Sequence, residues 1–248
     1  MITLEKELHN LMAYEGLKIF QNKNFLSFSI DSILLADFVK VTPRIRNIMD
    51  FGTGFGPIPL FLSMKTKAKI VGIDIQEEAC LFAKESVIYN HLEDQITIEQ
   101  TDIMNAHENY QTSFFDIITC NPPFFKVKDE KVLNDLETFT IARHETHLTL
   151  ENMIIEAKKM LSTGGSLCFI HRVERLEEII LLLHKHHFVL KRMRYVYPKQ
   201  GKKALMLLID AKSNGNTGSM ELLPPLTIYN ETGEYTDEIK EIFHYKRS

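Results

Sequence analysis

Three glycines at alternate positions, Gly52, Gly54 and Gly56, separate the apolar run Ile45–Asp50 from an apolar stretch opened by Pro57. Few folds accommodate that order. Glycine adopts backbone conformations other residues avoid and lets a ligand approach the main chain. Proline suits the first turn of a helix and little else of it. The spacing therefore predicts a strand over Ile45–Asp50, a tight turn at Gly52-Thr53-Gly54-Phe55-Gly56, and a helix from about Pro57 to Met64. A strand at Lys69–Asp74, a helix from about Glu77 to Asn90 and a strand at Ile96–Glu99 continue the alternation. Strands alternating with helices predict an α/β fold whose largely parallel sheet is covered on both faces.

After a loop to about Ser113, the apolar run Phe114–Cys120 ends on Asn121-Pro122-Pro123-Phe124. Residues 126–147 carry many charges without a clear period, so a mobile loop with some helix is expected. A helix over about Leu150–Leu161 should stop at Gly164-Gly165, a glycine C-cap signal. A strand at Ser166–His171, a helix at about Arg175–His186, and strands at Phe188–Val196 and Ala204–Asp210 follow. Pro198–Lys203 is too short for a helical crossover, so the last two strands should pair antiparallel. Ser213–Ser219 reads as a surface loop, Leu226–Tyr229 as strand-like, Asn230–Gly233 as a turn, and Thr236 as a helix start. Upstream, Phe25–Ser29 alternates like a short strand. Asp31–Val39 looks helical, with Ser29 or Asp31 near its cap. The expected division is an N-terminal extension, residues 1–43, packed on a domain spanning 44–248.

Net charge is −4, so any nucleic-acid site must be a local patch. Three widely spaced cysteines, Cys80, Cys120 and Cys168, sit among apolar neighbours and read as core residues of a reducing compartment. The first residues have no apolar leader region, and no run is long enough to span a membrane. The expected location is the cytoplasm. No metal site is expected: His184-Lys185-His186-His187 lacks an accompanying carboxylate or thiolate cluster and reads as a polar helix end.

A strand, a glycine turn and a helix N-terminus form a nucleotide-binding element, with a carboxylate at the end of the second strand for ribose hydroxyls. Asp74 follows Gly52 by about twenty residues, the separation that role needs. The glycines make G-x-G-x-G, not the G-x-G-x-x-G of dinucleotide sites. Asp50 adds a carboxylate that would repel a pyrophosphate and attract an ammonium. S-adenosylmethionine fits that polarity better than a nicotinamide dinucleotide. Asp102 fits two readings, an exposed loop aspartate or a partner for an adenine amino group. The Asn121 tetrapeptide also fits two, a proline-stopped strand end or a stiff presentation of one amide, bare carbonyls and a ring at the sheet's ligand-binding edge.

His184–Lys203 holds Lys185, Lys191, Arg192, Arg194, Lys199, Lys202 and Lys203 without an acidic residue, and Tyr195 and Tyr197 interleave. That composition suits an RNA-binding surface or a solvated sheet edge guarded by lysines. Arg143 and His144 are either phosphate contacts or, with Glu145, a structural ion pair.

The pair D-x-G-x-G-x-G and N-P-P-F resembles the class I S-adenosylmethionine-dependent methyltransferases that act on exocyclic or amide nitrogens. Phe28–Ala36, Ile141–Glu145 and Leu223–Tyr229 look like the tRNA1(Val) adenine-N6 methyltransferases, and the similarity covers nearly the whole chain. The resemblance implies a Rossmann-like fold: a mostly parallel seven-stranded sheet, helices on both faces and an antiparallel C-terminal strand. It implies methylation of N6 of the adenine just 3′ of the anticodon. Asp50, Gly52, Thr53, Gly54 and Gly56 would then surround the methionine part of the cofactor. Asp74 and Ile75 would take the ribose, Asp102 and Ile103 the adenine. Asn121, Pro122, Pro123 and Phe124 would form the catalytic group, Asn121 facing both methyl donor and acceptor, Phe124 stacking on the base. Phe125 is either a second stacking face or core. Phe51 and Phe55 depart from many relatives, in packing only. Lys191, Arg192, Arg194, Lys199, Lys202, Lys203 and Arg143 are the expected RNA contacts. The competing readings are a protein glutamine-N5 methyltransferase, a DNA adenine methyltransferase, a non-catalytic RNA-binding module, and, least compatible with the glycine spacing, a nicotinamide-dependent oxidoreductase.

Overall fold

Adjacent residues of the central strands are buried in opposite directions. Ile48, Ile117 and Cys168 belong to one hydrophobic cluster, and their neighbours Met49, Ile118 and Phe169 to another. That period of two is what a sheet covered on both faces requires. The computed structural model describes residues 6–11, 16–22, 29–110, 112–122 and 148–243. Most of the expected strand at Phe25–Ser29, the expected loop at 126–147, and Pro123, Phe124, Phe125, Arg143 and His144 lie outside the described residues.

In chain order the elements are β1 (Lys6–Asn10), β2 (Lys18–Asn22), α1 (Ile30–Phe38), β3 (Asn47–Phe51), α2 (Pro57–Lys65), β4 (Lys69–Asp74), α3 (Glu77–Tyr89) and β5 (Ile96–Gln100). A 3-10 turn (Ile103–Glu108) precedes β6 (Phe115–Cys120). Then come α4 (Leu150–Met160), β7 (Leu161–Arg172), α5 (Leu176–Lys185), β8 (Phe188–Lys199), β9 (Met206–Ser213), β10 (Glu221–Leu222), β11 (Leu226–Tyr229) and α6 (Asp237–Phe243).

The main sheet runs β5-β4-β3-β6-β7-β9-β8, and β10 and β11 both pair with β8. Every pairing is parallel except those of β9, which lies antiparallel between β7 and β8 as its short connection demands. α1, α2, α3 and α6 bury their apolar residues with one cluster, α4 and α5 with the other. The chain reverses its winding between β3 and β6, and the C-terminal ends of those two strands flank the crevice where open α/β sheets bind ligands.

The structure departs from expectation in three places. Among the described residues the sheet has nine strands, because β10 and β11 extend the seven-stranded arrangement past β8. Gly164-Gly165 does not stop α4, which ends at Met160 with Leu161 already extended. Leu161 pairs with Phe115 and Ser166 with Ile117, so the intervening residues bulge out of β7. A side chain at Gly165 would lie 2.9 Å from the Ser162 carbonyl oxygen and 3.1 Å from that of Asp116, so the glycine serves a close main-chain approach. The third departure is the β1–β2 hairpin, which docks on α3. Phe20 N–H donates to Ser86 Oγ (2.8 Å) and Lys18 N–H to Asn90 Oδ1 (2.9 Å).

Candidate active site

The turn after β3 holds Gly52, Gly54 and Gly56 at φ of 63°, 53° and 85°. Gly56 caps α2, and a side chain there would meet Ala83 Cβ at 3.3 Å. Side chains at Gly52 and Gly54 would meet nothing within 4 Å among the described residues, which leaves their main chain open there. Thr53 N–H donates to the Ile73 carbonyl (2.9 Å), Gly54 N–H to Asp74 Oδ2 (2.8 Å) and Gln76 N–H to Asp74 Oδ1 (2.9 Å). Asp74 is thus fixed beside the turn. Ile75, next to it, is exposed. Gly72 on β4 makes room for the turn, since a methyl there would fall 2.7 Å from Thr53 Oγ1 and 2.8 Å from Ile98 Cδ1.

Asp50 is fully buried near the end of β3. Thr119 Oγ1 donates to its Oδ1 at 2.6 Å, while its Oδ2 has no hydrogen-bond partner among the described residues. Burial pushes the carboxyl up to about 7; the hydroxyls of Thr119 and Thr53 oppose the rise and the Asp74 charge adds to it. A buried carboxylate half satisfied by its own chain is stabilised by a cation at the open oxygen.

On the other side of the crevice, β6 ends at Cys120 and delivers Asn121. Its Nδ2 donates to Ser32 Oγ of α1 at 3.0 Å, and its Oδ1 is buried without a partner among the described residues. Pro122 follows, half-buried. Asp102 caps the 3-10 turn by accepting from Met104 N–H at 2.9 Å, and Ile103 is buried behind it. Two open buried oxygens, an accessible glycine turn and Asp74 fit a cationic nucleoside cofactor, whereas Asp50 opposes a diphosphate.

The basic segment divides. Lys191 Nζ donates to the carbonyls of Asn216 and Gly218 (2.6 and 2.8 Å). Arg192 donates to the Phe38 carbonyl (3.2 Å), lies 4.6 Å from the centre of the Phe38 ring and approaches Asp210 at 3.7 Å. Arg194 binds the Pro224 carbonyl (2.8 Å) and Glu238 (2.5 Å). Lys199 binds the Glu231 carbonyl (2.5 Å). Lys202 and Lys203 stand exposed in the turn between β8 and β9. That turn lies at the edge where the parallel strands end, the same edge as Asn121.

Sequence reasoning overlooked three contributors. Ser32 lies far from Asn121 in the chain, Thr119 is a polar residue inside an apolar strand, and Gly72 is an isolated strand glycine of the kind that marks a close approach. A concavity of about 670 Å³ between the end of α2 and the starts of β3 and β4 opens at the opposite edge of the sheet, away from these groups.

The strand order, the antiparallel β9 and the glycine turn facing Asn121 define a class I methyltransferase. A predicted O-methyltransferase from Agrobacterium tumefaciens shares this fold, with a TM-score of 0.67 at 20% identity over 88% of this chain and 99% of that one. The family model described as methyltransferase small domain matches residues 28–196. A tRNA1(Val) (adenine(37)-N6)-methyltransferase of Parabacteroides distasonis is 25% identical over 93% of this chain and 96% of its own length. Its namesake from Porphyromonas gingivalis is 30% identical over 78% of this chain and 76% of its own length. The chain belongs to the methyltransferase small domain family and, within it, to the group of the tRNA1(Val) (adenine(37)-N6)-methyltransferases. No helix among the described residues is long and apolar enough to cross a membrane, and no group of three or more metal-ligating side chains occurs among them.

Proposed function

We propose that this enzyme transfers a methyl group from S-adenosylmethionine to N6 of an adenine in tRNA, with adenine 37 of tRNA1(Val) as the particular target. The observation that carries this reading is the buried, unpartnered Oδ1 of Asn121 beside the Asp50 and glycine-turn half of the site.

An adenine N6 is a poor nucleophile because its lone pair is delocalised into the ring. Asn121 Oδ1 and the Pro122 carbonyl can each accept one N6–H bond, which turns the developing lone pair towards the methyl donor. That is orientation and electrostatic stabilisation without a strong base. When bound, S-adenosylmethionine supplies a methyl group on a positively charged sulfur. Asp50 Oδ2 would accept from the cofactor ammonium, Gly52, Thr53, Gly54 and Gly56 would line the methionine part, and Asp74 with Ile75 would receive the ribose hydroxyls. Asp102 and Ile103 would flank the cofactor adenine. Neither Asn121 nor Pro122 can hold the N6 proton, which passes to water. Pro123 stiffens the clamp and Phe124 stacks on the target base.

For RNA, the topology favours Lys202 and Lys203, at the active-site edge, as phosphate contacts. Arg143 is assigned the same role. Arg192, Arg194, Lys191 and Lys199 make intramolecular contacts that leave them a smaller part in it. Residues 1–43 act as an extension of the catalytic domain spanning 44–248, and the enzyme works in the cytoplasm, where its substrate resides. The test is incubation with radiolabelled S-adenosylmethionine and either total tRNA or a release-factor protein. Label in the RNA is the expected result, and label in the protein alone overturns the reading.

A further inference from the structure

An asparagine amide has nearly the same shape when turned by 180°, yet its two faces differ in hydrogen-bonding sense. One orientation offers an acceptor to the target amine, and the other offers two N–H donors that oppose the amine's own. A serine hydroxyl can hold either face, and in this structure it takes Nδ2 and leaves Oδ1 without a partner among the described residues. The Asn121 side chain has one partner among the described residues, Ser32 Oγ, which receives Nδ2 at 3.0 Å. Ser32 is buried, so water does not readily take its place.

The helix that carries Ser32 is pinned at its far end. Lys65 Nζ donates to the carbonyls of Ala36, Asp37 and Val39 at 3.1, 2.5 and 2.9 Å. Arg192 donates to the Phe38 carbonyl with its guanidinium against the Phe38 ring. Two cations therefore satisfy carbonyls that the end of a helix leaves open, where positive charge is favourable. With its C-terminal end held by α2 and β8, α1 presents Ser32 from its first turn at a fixed height over Asn121.

We propose that Ser32 is a positioning residue for methyl transfer: its hydroxyl holds the Asn121 side chain in place by taking Nδ2, which leaves Oδ1 for the acceptor nitrogen. The inference rests on Asn121 being the amine clamp. It gives α1, which lies in the extension, a direct part in the chemistry.

A double-mutant cycle tests it, with steady-state methyl transfer measured for wild type, Ser32→Ala, Asn121→Ala and the pair. Ser32→Ala is expected to lower kcat about five- to tenfold, the scale of one neutral hydrogen bond. The Kd for S-adenosylmethionine and the KM for tRNA should be unchanged. In the Asn121→Ala background the same substitution should change nothing further. Ser32→Cys, which keeps the shape and offers a poor acceptor, should reproduce the loss, so an effect of packing alone is separated. Wild-type turnover in both Ser32 variants, or an equal loss in the Asn121→Ala background, overturns the proposal. Failure of the adenine reading is distinguishable, because the cycle can be measured with whichever amine or amide the wild-type enzyme methylates.

Discussion

Thr119 Oγ1 donates to Asp50 Oδ1 at 2.6 Å, and the two residues stand directly opposite each other on neighbouring strands. That bond joins β3, which leads into the glycine turn, to β6, which delivers Asn121. One oxygen of Asp50 therefore registers the two halves of the site, and the other remains open to a ligand.

Asp50 gives the enzyme a pH signature. Its folded pKa is raised from the ordinary value of 3.8 to about 7, chiefly by burial. Between those values the native state holds a proton that the unfolded chain has released. Its contribution to stability is therefore full below the lower value and is lost as pH rises to the upper one. On the proposed role, a cofactor ammonium at Oδ2 would reverse the preference and expel the proton. Affinity for S-adenosylmethionine should climb with pH up to about 7, by as much as about tenfold per unit, and then level off. Calorimetry in two buffers of different ionisation enthalpy should detect proton release below that pH. Asp50→Asn should bind more weakly and without the pH dependence, and a pH-independent wild type would refute the role of Asp50.

Gly72 is a sharper probe of the turn than the turn's own glycines. A methyl at Gly72 would collide with Thr53 and Ile98, and the Thr53 side of that contact belongs to the cofactor turn. Gly72→Ala should cost about 1–3 kcal/mol in stability, as overpacking does, and should weaken cofactor binding more than tRNA binding. Chemical denaturation and cofactor titration of the same preparation would measure both.

The arginines and lysines of the basic segment should separate experimentally. Arg192→Met strips the nearby cation from buried Asp210 and should cost about 2–3 kcal/mol of stability, with little change in the salt dependence of tRNA binding. Reversing Lys202 and Lys203 to Glu should leave melting unchanged and weaken tRNA binding. It should also lower the slope of log affinity against log salt by about one for each phosphate that is no longer neutralised. A salt slope unaltered by the lysine reversals would remove them from the interface.

The residues that announced themselves in the sequence are those whose placement is local. Gly52, Gly54, Gly56, Asp50 and Asp74 sit at fixed offsets within one strand–helix–strand unit, and the alternation around them specified the parallel sheet. Roles that depend on distant partners were not legible. Nothing near Arg192 and Arg194 in sequence reveals their contacts with Asp210, the Phe38 carbonyl and Glu238. Gly164-Gly165 imitates a helix stop, and only the main chain of Asp116 shows that it serves a strand bulge. β1, Lys-Glu-Leu-His-Asn, is mostly exposed and lacks apolar alternation, so its pairing with β2 left no signal. Ser32 and Asn121 are 89 residues apart in the chain, and no spacing rule reaches that far.

The central claim is that Asn121 clamps an adenine amine for methyl transfer. Its most direct test is mass spectrometry of nucleosides from tRNA incubated with S-adenosylmethionine and either the wild-type enzyme or Asn121→Ala. Wild type should yield N6-methyladenosine. The variant should bind the cofactor within a few-fold of wild type yet lose about 100-fold or more in rate, the scale of one oriented hydrogen-bonding group removed. Methyl groups found elsewhere than adenine N6, or undiminished transfer by Asn121→Ala, would contradict the account.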